Sequence, residues 1–298
     1  MASPTPRASA GSRASSAVSH RTSTTSSAFT PFFDAHVHLI DLEMQLRLME
    51  RFKIRRAVIF WGRKSDNASV AAAARAHPGL LVAFASISPE RATYRSLWDK
   101  EDEAVLEILE RAIADSNGIV KGIGEISAVH FPSAGLGETD YDPSGSAMRG
   151  IFEIARRHRL PVMVHIEVTR LREFSTLMDA YPTVPAIWAH GGYTPLFLAE
   201  RLIARHPQLC YELSARTWPV HPRSPDYTIL RDGNALWPQW KALIEKHPKR
   251  FIVGTDASHH SWQSEEMKAS SVQRVLSQLA LPAREMVAYS NLAGLLGV

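Results

Sequence analysis

The feature that most constrains the fold is a regular alternation of short apolar runs with helical patterns, starting at residue 32. The runs are rich in β-branched and aromatic residues, as in buried strands. The predicted strands are 32–39, 56–61, 80–87, 119–127, 161–167, 186–191, 209–215 and 251–258. The predicted helices are 42–52, 69–76, 101–114, 148–158, 170–180, 196–205, 236–246 and 265–279. Eight strand–helix units predict a (β/α)₈ TIM barrel, usually about 250 residues long.

The first 31 residues do not share this pattern. They are mostly Ser, Thr, Ala, Arg and Pro, with no acidic residue. Such a composition cannot bury enough apolar surface to fold, so we predict a disordered leader at 1–31 and one barrel domain at 32–298. The leader lacks the apolar segment of a secretion signal, which favours a cytoplasmic protein. It also resembles an organellar transit peptide, so an organellar location is the alternative, and a plain tail or an upstream start codon remains open.

Charge and composition limit the partners. The net charge is +4, and three arginines of the leader account for most of it. The barrel is therefore nearly neutral, which argues against a nucleic-acid partner. No apolar stretch approaches the roughly 20 residues of a membrane span. The single cysteine, Cys210, excludes an intrachain disulfide and a Cys-rich zinc module, and its apolar neighbours predict a core position. The oligomeric state is not indicated.

Four histidines have a structural interpretation. Three precede a proline at the end of a predicted helix, and a fourth lies close to one; they are His77, His206, His247 and His158. A histidine near a helix C-terminus meets the negative end of the helix dipole, and proline stops the helix. We expect these residues at the helix-to-strand turns, away from any catalytic face, and assign them no chemistry.

Other histidines lie at the exits of predicted strands, where barrel enzymes keep their active sites. His36 and His38 are two apart on one strand, so they point to the same side with Cα atoms about 6.6 Å apart. His165, His190 and Asp256 end three later strands. Burying these groups together would be costly without an ion, so the pattern predicts a site for a divalent metal.

Two carboxylates have open interpretations. Glu125 ends the fourth predicted strand and would either bridge two metals, support a ligand from behind, or pair with Lys121, which has the same strand parity. We favour the ligand interpretation. Asp34 shares a strand face with His36 and His38, and is either a residue that orients those ligands or a strand-end turn residue.

These residues together resemble the amidohydrolase superfamily, within its amidohydrolase-related and TatD-like branch. The resemblance covers residues 32–298, including the closing segment 290–297, Ser-Asn-Leu-Ala-Gly-Leu-Leu-Gly. It implies metal-dependent hydrolysis, with zinc, or manganese as the alternative, at one or two sites. The implied metal ligands are His36, His38, His165 and Asp256, the last also a general base. His190 would be a ligand in two-metal members or a catalytic residue in one-metal members.

The resemblance also bears on Glu125. Gly-Ile-Gly-Glu-Ile is similar to the TatD-like segment that carries a bridging glutamate. The following Ser127-Ala128 departs from the usual Gly-Leu-Asp continuation, which leaves a second metal and a nuclease activity open.

The residues predict one mechanism. A metal-activated water attacks the substrate, Asp256 transfers its proton to the leaving group, and His190 stabilises the developing oxyanion. We expect hydrolysis of a small-molecule amide, lactone or ester. The alternatives are a zinc-dependent decarboxylase resembling aminocarboxymuconate-semialdehyde decarboxylase, a TatD-like nuclease, and a metal-stabilised binding module without catalysis.

Substrate contacts are predicted in the loop after the seventh strand. Arg216, Trp218 and Arg223 would bind a carboxylate and stack on a flat ring, and His221 lies among them. The alternative is a solvated loop with ordinary charges. Three further histidines in loops on this face are predicted to be surface residues, of which one could contact substrate; they are His130, His259 and His260.

Overall fold

The computed structural model describes residues 1–2, 29–130 and 139–298. Most of the predicted leader, residues 3–28, lies outside the described residues, and so does 131–138 in the loop after the fourth strand. Among the described helices, none combines the length and the apolar composition needed to cross a membrane.

Eight parallel strands pair in consecutive order and form a nearly closed barrel. They are Phe32–Leu39, Ile54–Trp61, Leu81–Ala85, Val120–His130, Val162–Ile166, Ala186–Trp188, Leu209–Glu212 and Phe251–Ile252. The eighth strand returns to the first: Ala35 N donates to Val253 O at 3.0 Å and His38 N to Ala257 O at 2.8 Å. The predicted TIM barrel is confirmed. Short strands lie in its loops at Thr139–Asp140, Leu230–Arg231 and Ala235–Leu236.

Helices surround the barrel and bury one face each. They are Leu42–Phe52, Asn67–Ala76, Ala92–Trp98, Ala104–Asp115, Ser146–His158, Leu171–Ala180, Leu196–Arg205, Pro238–Lys246, Trp262–Gln278, Leu281–Glu285 and Asn291–Leu296. The first shows how sequence sets a boundary. Asp41 caps it by accepting a hydrogen bond from Met44 N, and Lys53 ends it in the left-handed conformation. Its buried side includes Leu48 and Phe52.

Several predicted boundaries were wrong. The helix predicted at 101–114 begins at Ala104, and a separate helix, Ala92–Trp98, precedes it. The sixth strand ends at Trp188 rather than 191, because His190, Gly191 and Gly192 adopt left-handed backbone angles. The seventh and eighth strands are also shorter than predicted, since regular pairing ends where the chain bends into the loops that carry the site.

The barrel interior forms a core of its own. Phe33, Phe60 and Phe84 project into it from the first three strands, and Leu292 and Leu296 of the C-terminal helix close its lower end. Cys210 belongs to this interior cluster and is 6% exposed, as predicted for a core residue.

The four turn histidines lie where predicted. His77, His206 and His247 each follow the last residue of a helix, and His158 is the last residue of its helix. His206, which is buried, pairs with Ser175 Oγ at 2.9 Å. None of the four lines the metal-ligand cavity described below.

Candidate active site

A cavity of about 410 Å³ opens at the C-terminal ends of the strands. Its floor contains five of the predicted ligands, His38, Glu125, His165, His190 and Asp256. The sixth, His36, lies beneath them with no exposed surface. The sequence-predicted residues therefore converge.

One half of the cluster is formed by the first and fourth strands and by the segment that follows the eighth strand. Nε2 of His36 and Nε2 of His38 each lie 3.4 Å from Oε2 of Glu125. The same two nitrogens lie 3.5 and 3.6 Å from Oδ1 of Asp256. Two imidazoles and two carboxylates thus point at a common centre.

The other half uses the second oxygen of Glu125. Its Oε1 lies 3.1 Å from Nδ1 of His165 and 3.9 Å from Nε2 of His190. Glu125 therefore faces both halves of the cluster, one oxygen to each. Lys121 is exposed on the outside of the barrel, so the predicted alternative of a Glu125–Lys121 pair is not formed. The pairing register between the fourth and fifth barrel strands shifts between Ile123 and Ile126. Because of this irregularity, Glu125 and Lys121 do not point in the same direction, although they are four residues apart.

The donor set fits a divalent metal. A tetrahedral ion with bonds of about 2.1 Å has ligand-to-ligand edges of about 3.4 Å. The distances from His36 and His38 to the two carboxylates, 3.4 to 3.6 Å, match that edge and exceed a normal hydrogen bond. Moreover, Nε2 of His36 is buried without a hydrogen-bond partner among the described residues. Such an atom is costly unless it binds something, and an ion satisfies it.

The outward nitrogens of the imidazoles are anchored. Nδ1 of His38 donates to Trp61 O at 3.1 Å, and Nδ1 of His190 donates to Ser214 O at 3.0 Å. Nδ1 of His36 lies 3.4 Å from Oε2 of Glu212. A metal-ligating histidine characteristically donates its second ring N–H to a carboxylate or carbonyl, which fixes the tautomer. Three rings of the cluster follow this arrangement.

The turn that carries His190 depends on two glycines. Gly191 and Gly192 both have positive φ angles, +51° and +56°. A Cβ on Gly191 would overlap the Tyr211 ring at 1.7 Å, and one on Gly192 would lie 2.4 Å from Ile166 O. Only glycine fits this turn, which directs the His190 ring inward.

Asp256 has a positive φ of 55° and is held from two sides. Lys268 Nζ donates to its carbonyl oxygen at 2.6 Å. The preceding Thr255 is bound by Asp34, whose Oδ1 accepts from Thr255 N at 2.9 Å and whose Oδ2 accepts from Thr255 Oγ1 at 2.6 Å. Asp34 also accepts from His36 N at 3.1 Å. It therefore joins the backbones of two ligand segments rather than contacting an imidazole.

Burial and neighbouring charged groups shift the pKa values of several residues in the site. Burial raises the pKa of Asp34 to about 7, although the three hydrogen bonds that its carboxylate accepts act to lower it. Burial lowers the pKa of His190 well below its ordinary value, and His165 and His36 reinforce that. For His165, burial is outweighed by Glu125 and Glu167, which raise its pKa to about 10. A neutral His190 is suited to donate a lone pair to a cation.

The predicted substrate residues divide into two groups. Trp218, His221 and Arg223 line the cavity above the ligands. Arg216 does not: it is 1% exposed, its Nη1 donates to Thr194 O and Tyr211 Oη at 2.9 Å, and its guanidinium lies over the Trp240 ring. It supports the turn that follows His190.

The loop histidines also divide. His130 and His260 line the cavity, and His130 Nδ1 lies 2.9 Å from Oε1 of Glu90. His259 is not a surface residue as predicted, because it is 8% exposed and its Nδ1 accepts from Ile40 N at 3.2 Å. This hydrogen bond joins the loop after the eighth strand to the end of the first strand.

Sequence reasoning missed several residues that contact the ligands or their backbone, among them Glu212, Tyr193 and Lys268. Glu212 ends the seventh strand, fully buried behind His36, and Tyr193 stacks on the His190 ring at 5.3 Å. The signal for Glu212 was present, because it follows an apolar run as the recognised ligands do. Tyr193 had no comparable signal, since its position depends on the left-handed turn before it.

Comparisons with known proteins identify the family and the fold. A model of the amidohydrolase family matches residues 33–297. A search of the curated proteins finds no match. Among solved structures, an uncharacterised TIM-barrel protein from Bordetella bronchiseptica is 15% identical, with a TM-score of 0.62 over 90% of this chain and 99% of that one. At such identity the likeness shows the shared fold.

Two further structures are similar at the same level. 2,6-Dihydroxybenzoate decarboxylase from Rhizobium is 13% identical with a TM-score of 0.58, over 90% of this chain and 99% of that one. An amidohydrolase from Burkholderia multivorans with bound zinc is 11% identical with a TM-score of 0.60, over 90% and 100%. The family model decides the assignment, because it spans nearly the whole barrel. The resemblance noted in the sequence is thereby confirmed, and the chain belongs to the amidohydrolase family.

Proposed function

We propose that this protein is a metal-dependent hydrolase acting on a small-molecule amide, lactone or ester. The observation that carries the proposal is the shared centre of His36, His38, Glu125 and Asp256, with distances that match the edges of a metal tetrahedron. Membership in the amidohydrolase family supports it.

The arrangement favours two cations that share Glu125. His36, His38 and Asp256 would hold one, and His165 and His190 the other, with Glu125 contributing to both. Imidazole and carboxylate ligands suit zinc, and manganese is the alternative. If only one cation binds, His190 becomes a catalytic residue beside it rather than a ligand.

The residues of the site have different chemical roles. A bound divalent cation would polarise the substrate carbonyl and acidify a water molecule. Asp256, whose side chain is 20% exposed, accepts the proton of the attacking water on a carboxylate oxygen and returns it to the leaving group. Lys268 donates to the Asp256 carbonyl oxygen, and Thr255 Oγ1 accepts from Ala257 N, so the backbone on either side of the Asp256 carboxylate is held in place.

The cavity walls suggest the kind of substrate. Trp218 and Trp61 provide flat apolar surfaces, while the exposed Arg63 and Arg223 lie at the rim. A small molecule with a planar part and an anionic group at its outer end suits this combination. We therefore expect a carboxylated substrate, with Trp218 and Arg223 among its contacts.

The proposal is tested by metal analysis followed by turnover assays. The purified protein should contain zinc or manganese, and the metal-loaded form should release acid from a member of a panel of lactones, esters and amides. Asp256→Asn should retain the metal and lose turnover, because an amide cannot accept the proton. Absence of bound metal after incubation with zinc and manganese would contradict the proposal.

The decarboxylase alternative is examined in the same experiment. A panel of carboxylated aromatic rings is added, and CO₂ release is followed alongside acid release. CO₂ release without hydrolysis of any ester, lactone or amide would replace the hydrolase proposal with a lyase. An Asp256→Asn variant that hydrolyses as fast as the wild type would remove Asp256 from the mechanism.

A further inference from the structure

Tyr193 occupies a fixed position between the metal-ligand cluster and the protein surface. Its ring stacks on His190 at 5.3 Å with an interplanar angle of 13°, and on Tyr227 at 4.4 Å with an angle of 14°. The ring therefore packs nearly parallel to two others. The side chain also lines the cavity that contains His165, His190 and Asp256.

Within the described residues, the hydroxyl of Tyr193 has one hydrogen-bond partner, His221, whose Nε2 lies 3.2 Å away. The direction of this bond follows from the other nitrogen of His221. Nδ1 accepts a hydrogen bond from the backbone N–H of Arg223 at 3.2 Å, so it carries no proton. The proton of a neutral His221 is therefore on Nε2, which must donate to Tyr193 Oη.

The hydroxyl proton of Tyr193 is therefore not used in its hydrogen bond with His221. Among the residues that the structure describes, Tyr193 Oη contacts only His221 by a hydrogen bond, and in that bond it is the acceptor. A phenol is protonated at neutral pH. An unused O–H donor at the wall of a cavity whose floor carries the metal ligands is suited to a substrate oxygen.

We propose that Tyr193 is a further catalytic residue, which donates its O–H to the substrate oxygen that becomes negatively charged when water adds to the carbonyl carbon. The electron pair of the C=O bond moves to that oxygen, and the tyrosine proton stays on Tyr193. His221 orients the donor and touches no reacting atom. This inference rests on the proposed hydrolytic function.

Binding of acetohydroxamate to the zinc-loaded protein tests the donor. This anion chelates zinc through its two oxygens and so places a negatively charged oxygen beside the cation. Tyr193→Phe keeps the stacked ring and removes only the hydroxyl, so calorimetry should show acetohydroxamate binding about 10- to 100-fold more weakly. Tyr227→Phe is the matched control, since it removes a hydroxyl one ring further out, and it should bind like the wild type.

The outcomes separate the two proposals. If the wild type binds neither zinc nor manganese, the hydrolase proposal fails, and this inference fails with it. If the metal-loaded wild type binds no acetohydroxamate, only the inference is overturned. If the wild type binds and Tyr193→Phe binds equally well with equal zinc content, only the inference is overturned. A Tyr193→Phe protein that loses zinc would show a structural function for the hydroxyl and would also overturn it.

The tautomer is measured independently of metal and activity. Nitrogen-15 NMR of histidine-labelled protein, with His221 assigned from a His221→Gln variant, distinguishes the two neutral ring forms. A proton on Nε2 is expected. A proton on Nδ1 would reverse the bond between His221 and Tyr193 and overturn the inference.

Discussion

Oε2 of Glu212 lies 3.4 Å from Nδ1 of His36, on the opposite side of the imidazole from Glu125. The same oxygen accepts hydrogen bonds from Ser214 Oγ at 2.6 Å and from His190 N at 3.2 Å. Glu212 has no exposed surface, and its other oxygen, Oε1, accepts a hydrogen bond from Ser214 N at 2.6 Å. It therefore couples the orientation of His36 to the backbone that carries His190.

Glu212→Gln should weaken metal binding about 10- to 100-fold, because His36 loses the carboxylate that fixes its tautomer and increases its basicity. The measurement is a competition titration of zinc with a chelating dye. Glu200→Gln, a substitution of an exposed glutamate that pairs with Lys246, is the control and should leave zinc affinity unchanged. Equal zinc affinity of Glu212→Gln and wild type would mean that Glu212 only fills space behind the ring.

The two halves of the cluster make a stoichiometric prediction. If Glu125 is shared, the wild type binds about two zinc ions. His38→Ala and His190→Ala should each reduce this to about one, since each removes a ligand from a different half. Elemental analysis after dialysis at fixed free zinc measures it. A wild type with about one ion, reduced by His38→Ala and unchanged by His190→Ala, would assign the site to the first half alone.

Much of this site was predictable because strand periodicity is simple. His36 and His38 are two residues apart, and the observed strand turns both towards the centre, as the alternation of side chains requires. The apolar runs that end in His165, His190 and Asp256 were equally visible. Barrel topology then brings such positions together, because parallel strands expose their ends on one face.

The parts that sequence could not predict depend on long-range packing. Arg216 was expected in the substrate site, yet its guanidinium packs on Trp240 and donates a hydrogen bond to the Tyr211 hydroxyl. Sequence spacing does not reveal which side of a loop faces the core. His259 was expected at the surface, but the loop folds it onto Ile40. Both errors concern irregular backbone, where no periodicity fixes side-chain direction.

Lys268 is predicted to set the direction of Asp256. Its buried ammonium donates to the Asp256 carbonyl and to Ser258 Oγ, and it lies 3.4 Å from Glu265. Lys268→Met paired with Glu265→Gln removes both charges together, so no carboxylate is left unpaired. We expect kcat to fall about 10- to 100-fold through misplacement of Asp256 while zinc content is retained. Glu265→Gln alone is the control, and an unchanged kcat in the double variant would show that the backbone holds Asp256 without Lys268.

Cys210 gives a prediction about stability at high pH. Burial in the barrel interior raises the pKa of its thiol from 9.0 to about 12. Above pH 9 the unfolded chain loses the thiol proton while the folded protein keeps it, so ionisation favours unfolding. The free energy of unfolding should therefore decrease with rising pH, by about 1.4 kcal/mol per unit between these pKa values. Urea titrations at several pH values measure this against Cys210→Ala, which lacks the thiol and should show a correspondingly smaller decrease. Identical pH dependence in the two proteins would contradict the raised pKa, as would rapid reaction of the native thiol with a disulfide reagent at pH 8.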